Sequence, residues 1–193
     1  MSSTRDNDGA PASGSDAPRA GVAAHGAWRP RPETAQDVPA VRRIHLAAFE
    51  TAGEADLVDA LRRDPAAWLP RLSYVAGPPD GDPVAHALLT RCHVGDVPAV
   101  ALAPCAVLPG YQKCGAGGAV ISALLEAARE AGERTAIVLG HPPYYPRFGF
   151  TPATGFGILP PQPWPDEAFL ALSLDGSPPP RGTVRYSAAF GIA

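Results

Sequence analysis

Apolar side chains recur along this chain with two different periods, and the changes of period mark out the elements. In "TAQDVPAVRRIHLAAF", Val41, Ile44, Ala48 and Phe49 follow helical spacing behind a cap-type Thr34, which predicts a helix. "EADLVDALRR" (Glu54 to Arg63) predicts a second, short helix closed by Asp64-Pro65, because the residue before a proline is pushed out of the helical region. The period then shortens. "LSYVAG" and "PVAHALLTRCHV" flank the turn "PPDGD" (Pro78 to Asp82) and read as an antiparallel pair joined by a hairpin. "VPAVALAPCAV" (Val97 to Val107) is apolar almost throughout, as a central strand would be. After a glycine-rich join comes a helix with Val120, Ile121, Leu124, Leu125 and Ala128 on one face and Gly132 placed to end it. "TAIVLG" (Thr135 to Gly140) is a buried strand, and Phe169 to Leu174 is the last clear one, set among proline-rich loops. "WRPRP" (Trp28 to Pro32) fits a sheet edge, since its prolines cannot donate to a ladder. The order predicts a mixed α/β domain whose sheet is partly antiparallel and flanked by helices.

Composition narrows this to one domain. Of the 193 residues, 1 to 26 are small and polar with almost no large apolar side chain, so they are expected to form a disordered tail before a folded domain over 27–193. A net charge of −3 gives no global attraction to nucleic acid or to an anionic membrane. No run approaches the ~18 apolar residues that would span a bilayer. The N-terminus lacks the order of a signal peptide, which makes a cytoplasmic location the expectation. Cys92, Cys105 and Cys114 form neither a disulfide framework nor a Cys-x-x-Cys pair, and with five histidines they show no zinc spacing, so no metal is expected.

The chemistry concentrates in "LPGYQKCGAGGA" (Leu108 to Ala119), where an apolar strand runs into a helix through glycines. The first turn of such a helix presents unpaired N–H groups and the positive end of its dipole, which together suit an anion. The dinucleotide fingerprint fails at Val120, and no Gly-Lys-Ser/Thr follows a Walker spacing. What remains is Gln112-x-x-Gly115-x-Gly117, which resembles the pyrophosphate loop of the GNAT superfamily of acyl-coenzyme A N-acyltransferases. A second segment, "HPPYYPRFGF" (His141 to Phe150), resembles the same superfamily's Tyr-x-x-x-Gly-Phe motif, with Tyr145, Gly149 and Phe150 in register. Together with "PDEAF" and "GTVRYSAAF" the likeness covers about residues 28 to 190 and points to a bacterial branch of these proteins.

The resemblance implies a GNAT-like fold and an N-acetyltransferase that uses acetyl-CoA as co-substrate, with a small-molecule or peptide amine as acceptor. By the same likeness, backbone N–H groups of Gln112, Lys113, Cys114, Gly115, Ala116 and Gly117 would hold the pyrophosphate. Cys105, Ala106 and Val107 would pair with the pantetheine amides, one N–H of Ala106 or Val107 polarising the thioester carbonyl. Tyr145 would be the general acid for the departing thiolate, a phenol being a donor at neutral pH. Tyr144 reads as a packing residue, and a one-residue slip of the motif would exchange the two. Glu54 is the first candidate for the general base, ahead of Asp56, His93, Asp166 and Glu167. His141 would contact the coenzyme or shape the turn. Cys114 stands where relatives commonly carry a basic side chain, and it reads as a bystander with Lys113 supplying part of the missing charge. His86 reads as a hydrogen-bonded, half-buried histidine. Trp164 either lines an acceptor pocket or anchors its loop, and Arg129, Glu130, Glu133 and Arg134 read as solvated. A noncatalytic acyl-CoA binding or partner-interaction module with the same fold is the alternative, and the likeness leaves open whether the chain is a monomer or a homodimer.

Overall fold

Prolines at positions 30 and 32 suit a strand with one free side, and β1 (Arg29–Pro32) lies at a sheet edge, paired only with β2 (Ser73–Gly77). The structure is a computed structural model that describes residues 28–192; the tail expected over 1–26 lies outside them. A single 3₁₀ turn (Ala35–Asp37) leads into α1 (Val38–Ala48), so the regular helix starts later than Thr34. Pro39 in the first turn explains the delay, because that is where a missing N–H costs nothing. The entry is tied down by Asp37, whose carboxylate accepts from the Thr34 backbone and hydroxyl (2.8 and 2.7 Å) and pairs with Arg31 (2.6 and 2.7 Å). α2 (Gly53–Arg63) follows and ends at Asp64, as expected from Pro65.

β2 pairs antiparallel with β3 (Ala85–Val94), which pairs antiparallel with β4 (Val97–Val107). After α3 (Ala116–Glu130), β5 (Thr135–Leu139) runs parallel to β4, and β8 (Phe169–Ser173) returns antiparallel to β5. Three short strands lie in the part read as loop: β6 (Thr151–Pro152) on β8, and β7 (Ile158–Leu159) on β9 (Gly182–Arg185), which also adds to β3. Strands of two to four residues among prolines have no alternation to read, so only their partners define them. The main path of the sheet is β1-β2-β3-β4-β5-β8-β6, a mixed sheet with β4 at its centre.

Alternation along β3 and β4 divides the side chains between two cores. Ala85, Ala87, Leu89, Val100 and Leu102 face α3, meeting Val120, Ile121, Leu124, Leu125 and Ala128. On the opposite face, Val75 and Leu88 meet Val41 of α1 and Val58 and Leu61 of α2, while Cys92, Ala99 and Ala101 pack with Ile137 and Phe169. The polar residues after α3 depart from the expected solvated face at one position. Glu133 is largely buried and forms a two-pronged pair with Arg91 (2.5 and 2.8 Å), because Arg91 leans out of β3 to meet it; Arg134 pairs with Asp175 (2.9 Å) in the open.

Candidate active site

The parting of two central strands makes the site. β4 and β5 pair only at Val100–Ala136 and Ala101–Ile137, whereas β4 stays paired with β3 out to Val107–Ala85. Beyond Ala101 the edge of β4 that faces β5 is unpaired, so the main-chain groups that alternate onto that edge between Leu102 and Val107 are left without a strand partner, although Val107 O accepts from Gln112 Nε2. An extended amide-bearing chain can pair with such an edge.

The glycine loop closes one end of this opening. Gly115 caps α3 with φ +93°, and Lys113 two residues before it also has positive φ (+60°), a conformation that costs a side-chain-bearing residue roughly 1–2 kcal/mol. This sharp reversal turns the first N–H groups of α3 into the loop. The Ala119 N–H bonds back to Gly115 O (2.9 Å), no side chain caps the helix, and the earlier N–H groups have no intrahelical acceptor. The loop is braced from behind: Trp28 Nε1 donates to Cys114 O (2.9 Å), Trp28 meets Tyr111 edge-on, and Gln112 Nε2 donates to Val107 O (3.2 Å). The Cys114 thiol donates to Gln112 O (3.3 Å), so it too serves the loop's shape. Gly117 is fitted closely, since a Cβ there would stand 3.0 Å from Tyr144 Oη and 3.2 Å from Val107 Cγ2. Ala116 beside it is fully buried.

The two tyrosines, adjacent in sequence, part company in space. Tyr144 Oη rests against Gly117 at the start of α3, with the Arg147 guanidinium 4.4 Å over its ring. Tyr145 lies across the end of β5, where a Cβ on Gly140 would collide with its ring (2.1 Å from Cε2). It packs edge-on against Phe150 and Tyr144. Burial, and then the nearby Cys105 thiol, push the Tyr145 phenol well above its ordinary value, so it stays protonated at neutral pH. Burial likewise pushes the Cys105 thiol up to about 12. His141, Pro142, Pro143, Tyr144 and Arg147 line a shallow recess of about 430 Å³ at the outer end, with His141 exposed.

The candidate bases are not gathered together. Asp56 is exposed and paired with Arg42 (2.9 Å), Asp166 accepts from Thr154 Oγ1 (2.8 Å), Glu167 is exposed, and His93 lies in the stretch of β3 that pairs with β9. Trp164 packs on Phe169 and Tyr186 and anchors its loop. Glu54, half-buried in the first turn of α2, has a buried Oε2 with no hydrogen-bond partner. His86 is fully buried rather than half-buried, and it bonds to His45, a residue that no sequence pattern singled out. No group of three or more His, Cys, Asp or Glu side chains among the described residues is placed to hold a metal ion, and no helix among them is long and apolar enough to cross a membrane.

Comparison with known proteins identifies the family. Residues 38–150 match the acetyltransferase (GNAT) family. The chain is 42% identical over 150 residues to YjhQ, an uncharacterised N-acetyltransferase of Escherichia coli K12, covering 74% of this chain and 82% of the relative. Among solved structures it resembles the E. coli GNAT family N-acetyltransferase YhbS in complex with CoA (TM-score 0.76, 27% identity, covering 86% of this chain and 92% of that one). It also resembles a Brucella melitensis GNAT family acetyltransferase in complex with acetyl-CoA (TM-score 0.69, 32% identity, covering 84% and 97%).

Proposed function

The chain belongs to the acetyltransferase (GNAT) family, and from that premise we propose that it transfers the acetyl group of acetyl-CoA to an acceptor amine by direct attack on the thioester. The observation that carries this is the parting of β4 from β5 beyond Ala101, next to a helix start without a side-chain cap, where a Cβ on Gly117 would press on Tyr144 Oη (3.0 Å). The relatives solved with CoA and acetyl-CoA support the choice of co-substrate. Backbone N–H groups over residues 113–117 take the pyrophosphate, that of Gln112 being turned to Pro109 O (3.4 Å), and Lys113 and Arg147 add positive charge around it. Cys105, Ala106 and Val107 pair with the pantetheine, and an N–H of Ala106 or Val107 polarises the carbonyl and steadies the oxyanion.

The amine's lone pair forms the new C–N bond, and the electrons of the breaking C–S bond go to sulfur. Tyr145 supplies the proton to that sulfur. Its ring is beside Cys105 on β4 and against Gly140, just after β5, which spans the opening in which the sulfur would lie. Tyr144, against the pyrophosphate loop, is the worse placed of the two for this role. Glu54 lies in the helical corner on the other face of the sheet, where we place the acceptor, a small-molecule or peptide amine.

The test is thiol release from acetyl-CoA across a panel of amines, with coenzyme A binding followed by calorimetry. Transfer requires both signals. Binding without thiol release from any amine would favour the noncatalytic acyl-CoA module. Tyr145→Phe should lower kcat about 100-fold with coenzyme A affinity retained, and normal turnover in that variant would remove Tyr145 from the mechanism.

A further inference from the structure

Beneath the helical corner lies a chain of polar side chains that the transfer scheme above does not use. His45, in the last turn of α1, has no exposed surface, and its Nε2 is 2.8 Å from His86 Nδ1 on β3. His86 Nε2 is 2.9 Å from Ser73 Oγ on β2 and 3.5 Å from Glu33 Oε2. Ser73 Oγ donates to Glu33 Oε2 in a short bond, and the other oxygen of Glu33 accepts from Arg62 of α2. The far nitrogen of the chain, His45 Nδ1, is buried with no partner. An unmatched buried polar atom costs about 1–3 kcal/mol, and here it ends an otherwise fully bonded line.

The bonding order fixes where the protons sit. Ser73 gives its hydrogen to Glu33, so it must accept from His86 Nε2–H. A neutral His86 then offers a lone pair at Nδ1, which requires His45 to donate from Nε2–H. His45 Nδ1 is left as a bare lone pair. Burial, and then the charges of His86 and Arg62, hold the His45 pKa down to about 3, and burial lowers His86 as well, against the pull of Glu33. The charged groups acting on the pair are Glu33 and Arg62, the latter also reaching Asp59 (3.4 Å). Both rings are therefore neutral at rest.

The line also points at the proposed reaction centre. His86 is directly opposite Ala106 on β4, so the two share the face of the sheet that α1 covers, and Ala106 is one of the two residues proposed to polarise the thioester. We infer that His45 Nδ1 accepts the proton released by the attacking amine and that His86, Ser73 and Glu33 form a relay that holds and passes it; this rests on the transfer reading above. Weak basicity fits the task. A free amine attacks, and once the C–S bond has broken its nitrogen is that of an N-protonated amide, acidic enough for a base of low pKa to take the proton. As Nδ1 is protonated, the Nε2 proton of His45 passes to His86 Nδ1, and the resulting imidazolium faces Ser73 and the Glu33 carboxylate. Once the product departs, His86 Nδ1 returns its hydrogen to His45 Nε2 and His45 Nδ1 releases its own to solvent, which restores the resting tautomers; solvent reprotonates the Tyr145 phenolate, so the net change moves one proton from amine to thiol. Phe49, half-buried at the end of α1, has its ring parallel to that of His45 (centroids 5.9 Å apart), and on this reading it is the side chain that must move to admit the amine.

Two measurements decide this. In ¹⁵N-histidine-labelled protein, NMR between pH 5 and 8 should show His45 protonated at Nε2 and bare at Nδ1; a proton on Nδ1 throughout would overturn the relay, whatever the enzyme's activity. In thiol-release assays with acetyl-CoA and a panel of amino acids, polyamines and short peptides, His45→Gln should lower kcat at least 100-fold with unchanged affinity for coenzyme A. Glutamine keeps a donor for His86, so a merely structural role would be preserved and turnover would stay near wild type, which refutes the inference. His45→Gly should regain turnover with added imidazole, and absence of rescue in a folded variant that binds coenzyme A counts against it. Wild-type turnover with an active His45→Gln overturns the relay alone. No thiol release from wild type with any amine overturns the transfer reading and the relay with it.

Discussion

Replacing Gly117 by alanine tests whether the close fit at this glycine serves the proposed coenzyme site or merely the start of a helix. The new Cβ would stand 3.0 Å from Tyr144 Oη and 3.2 Å from Val107 Cγ2, so the first turn of α3 or the Tyr144 ring must give by a few tenths of an ångström. Overpacking of this kind costs about 1–3 kcal/mol, and the gain in helix propensity returns about 0.5–1. The net stability loss is about 0–2.5 kcal/mol, or a fall in Tm of up to about 10 °C for a domain of this size. Binding should suffer more than stability. If the shift misaligns even one backbone N–H that faces a phosphate, a charge-assisted hydrogen bond of about 1.5–3 kcal/mol is lost, and Kd for coenzyme A rises about 10- to 150-fold. Gly118 is the internal control, because a Cβ there meets nothing within 4 Å. Calorimetry on both variants, with melting curves beside it, gives the comparison. An unchanged Kd in Gly117→Ala, or an equal loss in Gly118→Ala, would show that the close fit at Gly117 has nothing to do with the anion site.

Further outcomes are expected elsewhere in the chain. Lys113→Gly removes the cost of a positive φ, so Tm should rise by about 2–6 °C, while coenzyme A binding weakens and loses part of its salt dependence. Asp37→Asn removes the acceptor that joins Thr34 to Arg31 and should cost about 1–2 kcal/mol in denaturant melts at pH 7. The Arg31 hydrogen bonds hold the Asp37 carboxyl below its ordinary value of 3.8, so its contribution is complete above that value and drains away as the pH falls beneath it; the difference between wild type and Asp37→Asn should shrink accordingly in acid. His45 works in the other direction from an ordinary gain of charge. Its folded pKa of about 3 lies below the unfolded 6.5, so the unfolded state binds the extra proton and stability falls as the pH drops from 6.5. The slope from this group approaches about 1.4 kcal/mol per pH unit, and His45→Gln should flatten the Tm profile between pH 7 and 5. A slope unchanged by the substitution would assign the acid sensitivity to other groups.

What the sequence determined by itself is what neighbouring residues specify together. Apolar spacing marked out the three helices and the main strands, because burying one face is a local requirement on every third, fourth or second residue. The prolines of β1 placed it at an edge, and the glycine-rich start of α3 around Gln112, Gly115 and Gly117 was legible because it is a single short segment. Only the tertiary structure decided what depends on residues far apart. The short strands β6, β7 and β9 exist through their partners, and the parting of β4 from β5 has no mark in either strand taken alone. Tyr144 and Tyr145 are neighbours with the same side chain, yet one meets Gly117 and the other Gly140, since their surroundings arrive from α3 and β5. The histidine line is the extreme case. His45 and His86 are 41 positions apart and Ser73 and Glu33 are 40 apart, so no spacing rule joins them. They meet because α1 lies across a sheet whose β2 and β3 turn polar side chains inward, and the cost of burying those groups unpaired forces them onto one another.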